Sequence, residues 1–484
     1  MNSRRPRPQR PFADYTITLD TEKMTAGGRC LARADGKVYF VEGALPSERV
    51  SAAVTSAGKS FAEATARSVE RPSTFRIEPA CPLHFRPSDD FAARHFCGGC
   101  DWQHIDYPFQ LELKKQILSD ALLRTGKINL KPESMEIEPS PARFRYRNKA
   151  LVPFAPSLKG GGDSGENVIR AGFFARGSHE IVSAEDCPLQ PEIVFKIVCF
   201  VRENAARLGI RLYEEDAARG SLRHLYVRAA AGSDEILVGF VVNPADTRPE
   251  SYAALAASVT AGFPSVRGVL LNENPSRTNV IFGRKWSTLA GCNSVTEVLS
   301  NGIRLRLTEG AFFQVNTPVA EKLYEYAVSA LARPAKLLDI YAGVGGFALH
   351  ASRAGIAEII AVEENETAVN DAIVNARFND AGNITFYALS AEKFLSRPPR
   401  PARGASIIVD PPRSGLGAEI IDGIAAMRPA EMVYVSCDPA TFARDAGILA
   451  GKGYELSGIR LFDMFPQTHH LETAALFRLK NRVI

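Results

Sequence analysis

The last third of the chain repeats one pattern, in which a short apolar run is followed by a helical segment. Residues 336–346, KLLDIYAGVGG, predict a strand and a glycine turn, and the helical FALHASRAG follows directly. Further apolar runs, EIIAVE, ITFYA, SIIVD and MVYVS, are separated by helical segments. Strands that alternate with helices predict an α/β fold with a parallel, doubly wound sheet. Ligands of such sheets bind beyond the carboxyl ends of the strands, so functional residues are expected there.

The turn after the first of these strands is rich in glycine. Gly343, Gly345 and Gly346 lie between strand and helix, and Glu363 ends the next strand. Glycines let the backbone approach a ligand closely, and an acid about twenty residues later can accept both ribose hydroxyls. The motif indicates a nucleoside cofactor, but it fits NAD as well as S-adenosylmethionine. An NAD-dependent oxidoreductase is therefore one alternative.

Two strand ends favour methyl transfer to a carbon atom. Asp410 precedes two prolines, which form a rigid turn whose carboxylate and carbonyl groups face the cofactor pocket. Nucleic-acid methyltransferases use Asp-Pro-Pro or Asn-Pro-Pro here, but those that modify exocyclic amines usually follow it with an aromatic residue. Arg413 stands in that place. Cys437, just past MVYVS, is either a nucleophile or a small buried core residue.

A carbon target explains why a cysteine and a base would occur together. C5 of a uracil is too weak a nucleophile to take a methyl group, but addition of a thiolate at C6 turns the ring into an enolate. A base must then remove the C5 proton so that the thiolate can leave. The segment THHLETAALF supplies His469, His470 and Glu472 as candidates, although Glu472 could equally be a solvated strand residue.

Four of the eight cysteines form an uneven group. Cys97 and Cys100 make a CxxC turn, Cys81-Pro precedes it, and Cys187-Pro follows at a distance. We find no secretion signal and no apolar run long enough to span a membrane, so we expect a cytoplasmic chain with reduced thiols. Metal binding or catalysis is then expected before disulfides. Four thiolates can hold zinc or an iron–sulfur cluster, and the spacing does not decide between them.

The amino-terminal part predicts an RNA-binding unit. Five short β-like runs, two of them joined by Asp35-Gly36, suggest a small barrel of the oligonucleotide-binding type, with a generic barrel as the alternative. The net charge of +4 is compatible with a polyanionic partner. We expect four regions: a disordered basic arm (1–14), the barrel (15–74), a mixed α+β central domain with the cysteine group (75–305) and the α/β domain (306–484).

The segment PARFRYRNKA alternates between cations and other residues, so as a strand it would present a row of cations to phosphates or to solvent. An extruded base could be supported by aromatic residues, which are equally plausible as core. The cations of the predicted row are Arg143, Arg145, Arg147 and Lys149, with Arg223 and Arg228 as additions, and the aromatic candidates are Phe312 and Phe313.

Five segments together resemble the bacterial RNA (uracil-5-)-methyltransferase family: DIYAGVGGFAL, DPPRSGL, VSCDPATFARD, THHLETAALF and GAFFQVN. The amino-terminal barrel resembles the TRAM module, and the CxxC region resembles the iron–sulfur region of the ribosomal-RNA branch. The resemblance covers the whole chain. It implies a Rossmann-like class I S-adenosylmethionine methyltransferase domain that makes 5-methyluridine in 23S ribosomal RNA, with transfer RNA as the alternative substrate.

The resemblance also implies roles for individual residues: Cys437 as the nucleophile at C6 and Glu472 as the base. The implied cofactor contacts are Gln314, Tyr341, Gly343, Gly346, Glu363, Ser390 and Asp410. The implied ligands of a [4Fe–4S] cluster, or of zinc as the alternative, are Cys81, Cys97, Cys100 and Cys187. Gly346 stands where asparagine is frequent in the family, Ser390 replaces an acid or amide, and the gap between Cys81 and Cys97 is longer than usual.

A non-catalytic RNA-binding factor is the remaining alternative. The presence of both Cys437 and Glu472 argues against it, because a decayed active site should have lost one of them. We expect a monomer that does not associate with membranes.

Overall fold

The computed structural model describes residues 15–87, 96–156, 169–399 and 404–480. The predicted basic arm and the glycine-rich segment SLKGGGDSGEN lie outside these ranges. Among the described residues, no helix is both long and apolar enough to cross a membrane.

The amino-terminal strands close into a five-stranded barrel in the order β1-β2-β3-β5-β4, which confirms the predicted barrel. Asp35 and Gly36 both adopt positive φ, 49° and 73°, and Ala34 pairs with Lys37 across the predicted hairpin. Cys30 is fully buried in the barrel core. The strands are β1 (Thr16–Met24), β2 (Cys30–Ala34), β3 (Lys37–Glu42), β4 (Arg49–Ala57) and β5 (Phe61–Arg71).

The central part of the chain builds a seven-stranded sheet in the order β13-β12-β11-β10-β7-β8-β9. Helices α2 and α3 cover it with an apolar core, whereas α1 and β6 pack on the carboxyl-terminal domain. The elements are α1 (Tyr107–Ala121), β6 (Glu136–Glu138), β7 (Lys149–Pro156), β8 (Ile169–Phe174), β9 (Ile181–Ser183), α2 (Glu192–Arg207), β10 (Leu222–Ala229), β11 (Ile236–Val242), α3 (Pro249–Gly262), β12 (Val266–Glu273), β13 (Lys285–Gly291), and the hairpin β14 (Ser294–Val298) and β15 (Arg304–Thr308).

The predicted strand PARFRYRNKA is wrong except at its end, where Lys149 begins β7. Arg145 adopts a positive φ of 58°, and its guanidinium binds Asp186 and two backbone carbonyls. Arg143 lies over the ring of Tyr107, 4.6 Å from its centroid. The segment before Lys149 is therefore not a strand, and Arg143 and Arg145 are each held by partners of their own.

The suggestion that Arg223 and Arg228 extend a cationic surface is also wrong. Both are buried, at 8% and 1% exposure. Arg228 donates to the hydroxyl of Tyr226 and to the carbonyl of Ala311, and Arg223 donates to the carbonyl of Asn274. The two guanidinium groups therefore tie loops to the central sheet.

The carboxyl-terminal part forms an eight-stranded sheet in the order β18-β17-β16-β19-β20-β22-β21-β6. The first five strands are parallel, as predicted, and β22 runs antiparallel between β20 and β21. Neighbouring residues of β16 enter different cores, Leu337 on one face and Leu338 on the other. The elements are α4 (Thr317–Ser329), β16 (Lys336–Ile340), α5 (Gly346–Arg353), β17 (Glu358–Glu363), α6 (Glu366–Phe378), β18 (Ile384–Ala388), α7 (Ala391–Ser396), β19 (Ser406–Val409), α8 (Gly417–Met427), β20 (Glu431–Ser436), α9 (Pro439–Gly451), β21 (Tyr454–Phe462) and β22 (Glu472–Leu479).

A buried acid joins the barrel to the segment that follows it. Glu48 is fully buried, and its carboxylate accepts hydrogen bonds from the amides of Leu45 and Ser73. It also accepts two from the guanidinium of Arg76, at 2.6 and 2.7 Å. A buried carboxylate with this many donors is stabilising only while its partners remain.

We therefore expect Glu48→Ala to destabilise the barrel by about 3 kcal/mol, because it leaves the Arg76 guanidinium largely buried and without its anion. Hydrogen exchange of the β1–β5 amides measures the effect. Glu70→Ala is the control, since Glu70 forms an exposed pair with Arg49 and should change stability by less than about 1 kcal/mol. Equal effects of the two substitutions would contradict this account.

Candidate active site

Cys437 lies at the turn between β20 and α9, at the carboxyl edge of the parallel strands. The preceding residues of β20 are buried, whereas Cys437 itself is half-buried. Asp438 begins the helix by accepting hydrogen bonds from the amides of Ala440 and Thr441, at 3.0 and 2.8 Å. The strand and the helix cap thus hold the thiol at the edge where ligands of such sheets bind.

Glu472 is brought beside Cys437 by the antiparallel strand. Ser436, the last residue of β20, pairs with Thr473 of β22. The next residues outward are Cys437 on one strand and Glu472 on the other. Glu472 is 1% exposed, so the interpretation as a solvated strand residue is wrong. Its Oε1 atom has no hydrogen-bond partner among the described residues, which is unusual for a buried carboxyl group.

The thiol of Cys437 and the carboxyl groups of Glu472 and Asp410 lie at this edge of the sheet and influence one another's pKa values. Burial, together with the carboxyl groups of Glu472 and Asp410, raises the pKa of the Cys437 thiol to about 12, and Arg413 opposes this rise. Burial and Asp410 also hold the pKa of Glu472 well above its usual range. Burial raises the pKa of Asp410 to about 7, against a hydrogen bond from Gln314. A bound cation would therefore make it easier for the thiol and the two carboxyl groups to lose their protons.

The two histidines before Glu472 differ from it as candidate bases. Burial and the adjacent His469 lower the pKa of His470 to about 4. His469 is bound to Asp101 through its Nδ1 atom, at 2.5 Å. A carboxylate of raised pKa is a stronger base than an imidazole of lowered pKa, so the electrostatics favour Glu472.

The glycine turn and its acid are directly joined. The carboxylate of Glu363, at the end of β17, accepts hydrogen bonds from the amides of Gly343 and Asn365, at 3.0 and 2.8 Å. Tyr341 and Gly343 both adopt positive φ, 67° and 53°, as the chain turns out of β16. The carboxylate thus lies against the turn, where the fingerprint motif requires it.

The absence of a side chain at Gly346 has a local cause. A Cβ atom at this position would lie 2.7 Å from Cζ and 2.9 Å from the hydroxyl oxygen of Tyr324. The phenol ring occupies the space that an asparagine side chain would need, and it packs on Phe347 at 4.7 Å. Sequence reasoning did not identify Tyr324, because nothing in α4 marks it apart from ordinary helix packing.

The remaining predicted cofactor residues lie at the same edge. Gln314 is 5% exposed, precedes α4 and donates to Asp410 at 3.4 Å. Ser390 follows β18 and caps α7 by accepting from the amide of Lys393, at 3.4 Å. The structure thus gathers the predicted residues at the ends of four neighbouring parallel strands, β16 to β19, with Gln314 alongside. Asp339 was missed: it is a fully buried acid inside β16, and burial and Asp410 raise its pKa to about 8.

The two aromatic candidates for stacking on a base, Phe312 and Phe313, differ in their exposure to solvent. Phe313 is 2% exposed and belongs to the core on one face of the sheet. Phe312 is 62% exposed beside it. Only Phe312 is therefore free to stack on a base.

The four grouped cysteines line one small pocket, together with His84, Gln103, Asp186 and mostly apolar residues. Burial raises the pKa of Cys97 to about 11, with smaller contributions from Cys187 and Cys81. The amide of Gly99 donates to the Cys97 sulfur at 3.4 Å, and Gln103 donates to the Cys100 sulfur at 3.1 Å. The donor set and its N–H partners are compatible with a thiolate-bound metal.

The thiols are nevertheless not arranged for coordination as they stand. Within the described residues, which include all four cysteines, no group of three or more His, Cys, Asp or Glu side chains has the arrangement of a metal site. All four cysteines are free thiols. The side chains would have to turn towards a metal to bind it.

The fold and this site define a Rossmann-like enzyme domain with a cysteine and a carboxylate at its ligand-binding edge. Residues 289–398 and 402–480 match the family model described as tRNA (uracil-5-)-methyltransferase. An uncharacterized RNA methyltransferase of Halalkalibacterium halodurans is 34% identical over 476 residues, which cover 96% of this chain and 97% of that protein. One from Gloeobacter violaceus is 36% identical, with 97% and 98% covered.

A solved structure agrees with these sequence matches. The tRNA (uracil-54, C5)-methyltransferase of Pyrococcus abyssi, in complex with S-adenosyl-L-homocysteine, has a TM-score of 0.74 and 25% sequence identity. The match covers 95% of this chain and 99% of that chain. The chain belongs to the RNA (uracil-5-)-methyltransferase family.

The raised pKa of Asp410 has a consequence for stability. An unfolded aspartate releases its proton near pH ~4, whereas folded Asp410 keeps its proton up to about pH 7. Stability due to this group is therefore full below the unfolded pKa and is lost as the pH rises through the folded pKa. We therefore expect the stability margin of Asp410→Asn over the parent chain to be larger at about pH 8 than at about pH 5, by about 1 kcal/mol or more.

Denaturant unfolding at the two pH values tests this expectation. Asp20→Asn is the control, because Asp20 is exposed on the barrel and pairs with Arg71 there. A margin between Asp410→Asn and the parent chain that stays constant with pH would contradict the electrostatic account.

Proposed function

We propose that this chain transfers a methyl group from S-adenosylmethionine to C5 of a specific uridine in RNA, and that 23S ribosomal RNA is the substrate. One observation carries the proposal. Cys437 and buried Glu472 are neighbours, because each is the next residue outward from the paired Ser436 and Thr473 at the edge of the sheet. Membership of the uracil-5 methyltransferase family supports the same chemistry.

The reaction uses two groups of the chain in sequence. The Cys437 thiolate adds to C6 of the uracil and forms a C–S bond, which places the electron pair at C5. When bound, S-adenosylmethionine supplies an electrophilic methyl group to that carbon. Glu472 then takes the proton from C5, the C5–C6 double bond re-forms, and the thiolate leaves from C6. Cys437 is thereby regenerated, and the proton on Glu472 passes to solvent.

The charge of the edge suits a cationic methyl donor. Asp410, Glu472 and Asp339 all have raised pKa values, for which burial is the largest cause, and Asp410 adds to the rise at the other two. A bound sulfonium or ammonium group would favour their ionised forms. The hydrogen bond between Glu363 and the glycine turn supports a role for this carboxylate in binding ribose hydroxyls. The Pyrococcus relative binds S-adenosyl-L-homocysteine, the demethylated product of such a donor.

The choice of RNA rests on the amino-terminal half of the chain. The barrel and the four cysteines resemble the ribosomal-RNA branch of the family, which favours 23S ribosomal RNA. Transfer RNA is the second candidate, because the match with the Pyrococcus tRNA enzyme covers 95% of this chain. In either RNA, exposed Phe312 is suited to stack where the target base leaves the helix.

We infer that Cys81, Cys97, Cys100 and Cys187 hold a [4Fe–4S] cluster, with zinc as the alternative. Their common pocket and the two N–H···S contacts support a thiolate-bound metal. No step of methyl transfer involves this group.

Two measurements test the proposed reaction: analysis of the methylated product and detection of the covalent adduct. The protein is incubated with S-adenosylmethionine and with unmodified 23S ribosomal RNA or transfer RNA, and the RNA is then digested to nucleosides for mass spectrometry. We expect 5-methyluridine from ribosomal RNA only. Cys437→Ala should give no product and no adduct. Glu472→Gln should add and methylate but retain a denaturation-resistant protein–RNA adduct, because no base removes the C5 proton.

Each outcome distinguishes between assignments. Product from transfer RNA alone would overturn the ribosomal substrate. Turnover by Cys437→Ala would remove the nucleophile, and normal turnover by Glu472→Gln would transfer the role of base to another group. Absence of product and adduct from both RNAs would favour the non-catalytic binding factor.

Metal analysis of anaerobically purified protein tests the cysteine assignment. We expect iron and inorganic sulfide in equal amounts, and their loss in Cys187→Ser. Cys199→Ser is the matched control, because Cys199 is half-buried outside the group and contacts Glu185 instead. Zinc without iron would support the alternative, and protein with neither metal would exclude both.

A further inference from the structure

The segment between β21 and β22 leads directly to Glu472. We call residues 463–471 the base loop. Asp463, Met464, Gln467, Thr468 and Leu471 are all buried, with exposures of 4% or less. The base loop therefore packs inside the protein, although it joins two strands.

Gln467, in the middle of the base loop, has an unfavourable backbone conformation. Its φ is +66°, a region that residues other than glycine seldom adopt. Such a conformation persists only where the surroundings fix it. Its carbonyl accepts hydrogen bonds from the amides of Asp101 and Trp102, at 3.2 and 3.0 Å.

The side chain of Gln110, on helix α1, completes the restraint. Its Oε1 accepts from the amide of Gln467 at 3.0 Å, and its Nε2 donates to the Gln467 Oε1, also at 3.0 Å. Gln110 is fully buried, and its Nε2 also contacts the carbonyls of Trp102 and Ile105. Gln110 therefore links the base loop to the segment that follows the CxxC turn.

The same helix face holds the start of the base loop. Lys114, one turn after Gln110, pairs with Asp463 at 2.5 Å, and both side chains are fully buried. Lys114 also donates to the carbonyl of Phe465 at 3.1 Å. Residues four apart on a helix share a face, so α1 presents both side chains to the loop together. The amide of His469 is held in addition by the carboxylate of Asp101, at 3.2 Å.

Glu472 has little to fix its own position. Its Oε1 atom has no hydrogen-bond partner among the described residues. Its carboxyl group is therefore positioned by the backbone that carries it, which is the base loop on one side and β22 on the other. Cys437, by contrast, is held by β20 and the capped start of α9.

We propose that Gln110 is a positioning residue for the base, and that its contacts with Gln467 set the rate at which the C5 proton is removed. The proposal rests on the proposed function of Glu472. Proton removal follows methyl transfer, so a misplaced carboxylate leaves the attack of Cys437 intact and prolongs the methylated covalent adduct. A loss of folded protein, by contrast, lowers the amount of RNA that reacts and leaves the lifetime of the adduct unchanged.

The test uses Gln110→Met, which removes both contacts with Gln467 at nearly constant volume. Single-turnover reactions of the full chain with RNA and S-adenosylmethionine carrying a labelled methyl group give the rate of methyl transfer. Denaturing gels give the lifetime of the adduct. We expect methyl transfer within about twofold of the parent chain and an adduct that lasts about tenfold longer or more, since small misplacements of a catalytic group have large effects. Tyr252→Phe, which removes a buried hydrogen bond to Ser221 in the central domain, is the matched control and should change neither rate.

Glu472→Gln separates failure of this proposal from failure of the proposed function. If Glu472→Gln forms no lasting adduct, the assigned base is wrong. If Glu472→Gln traps the adduct but Gln110→Met slows both steps equally, or neither, the positioning role is wrong. Should Gln110→Met not fold, Gln467→Gly tests the side-chain contact alone, because glycine adopts the φ of +66° freely and lacks the Oε1 acceptor, while its amide still donates to Gln110. An unchanged adduct lifetime in Gln467→Gly would then overturn the role of the side-chain contact.

Discussion

The antiparallel pairing of β22 with β20 is the interaction on which the site depends. Parallel strands alone would bring together only residues that follow strands, whereas β22 presents the residue at its own start. The Ser436–Thr473 pair fixes the register, and a shift by one residue would turn Glu472 to the other face of the sheet. The active site is thus specified by backbone hydrogen bonds as much as by the identity of its side chains.

The same edge combines burial with a cluster of acidic groups of raised pKa, which a fold selected only for stability would avoid. Asp410 acts on both Asp339 and Glu472, and exposed Arg413 acts on both Glu472 and Cys437. Such a cluster is destabilising unless a ligand compensates it. The Oε1 atom of Glu472, which has no hydrogen-bond partner in the described part of the chain, belongs to the same arrangement, in which polar groups are kept available for a substrate.

Sequence reasoning succeeded where local chemistry determines the structure. Asp35-Gly36 predicts its hairpin because few residues adopt positive φ readily, and alternating strands and helices predict a parallel sheet whose strand ends gather distant residues. It failed at Arg145 and Arg228, whose alternation and charge suggested a surface, because their partners at Asp186 and Ala311 are distant in sequence. The hydrogen bonds between Gln110 and Gln467 could not be predicted for the same reason. Tertiary partners, unlike turns, leave no local signal.

The contact between Gly346 and Tyr324 restricts how this sequence can change. A larger residue at 346 fits only after the phenol ring at 324 has become smaller, because the ring lies 2.7 Å from where the new atom would be. A substitution in the turn therefore depends on the residue in α4. Gly346→Asn alone meets a steric barrier, which a smaller residue at position 324 would remove.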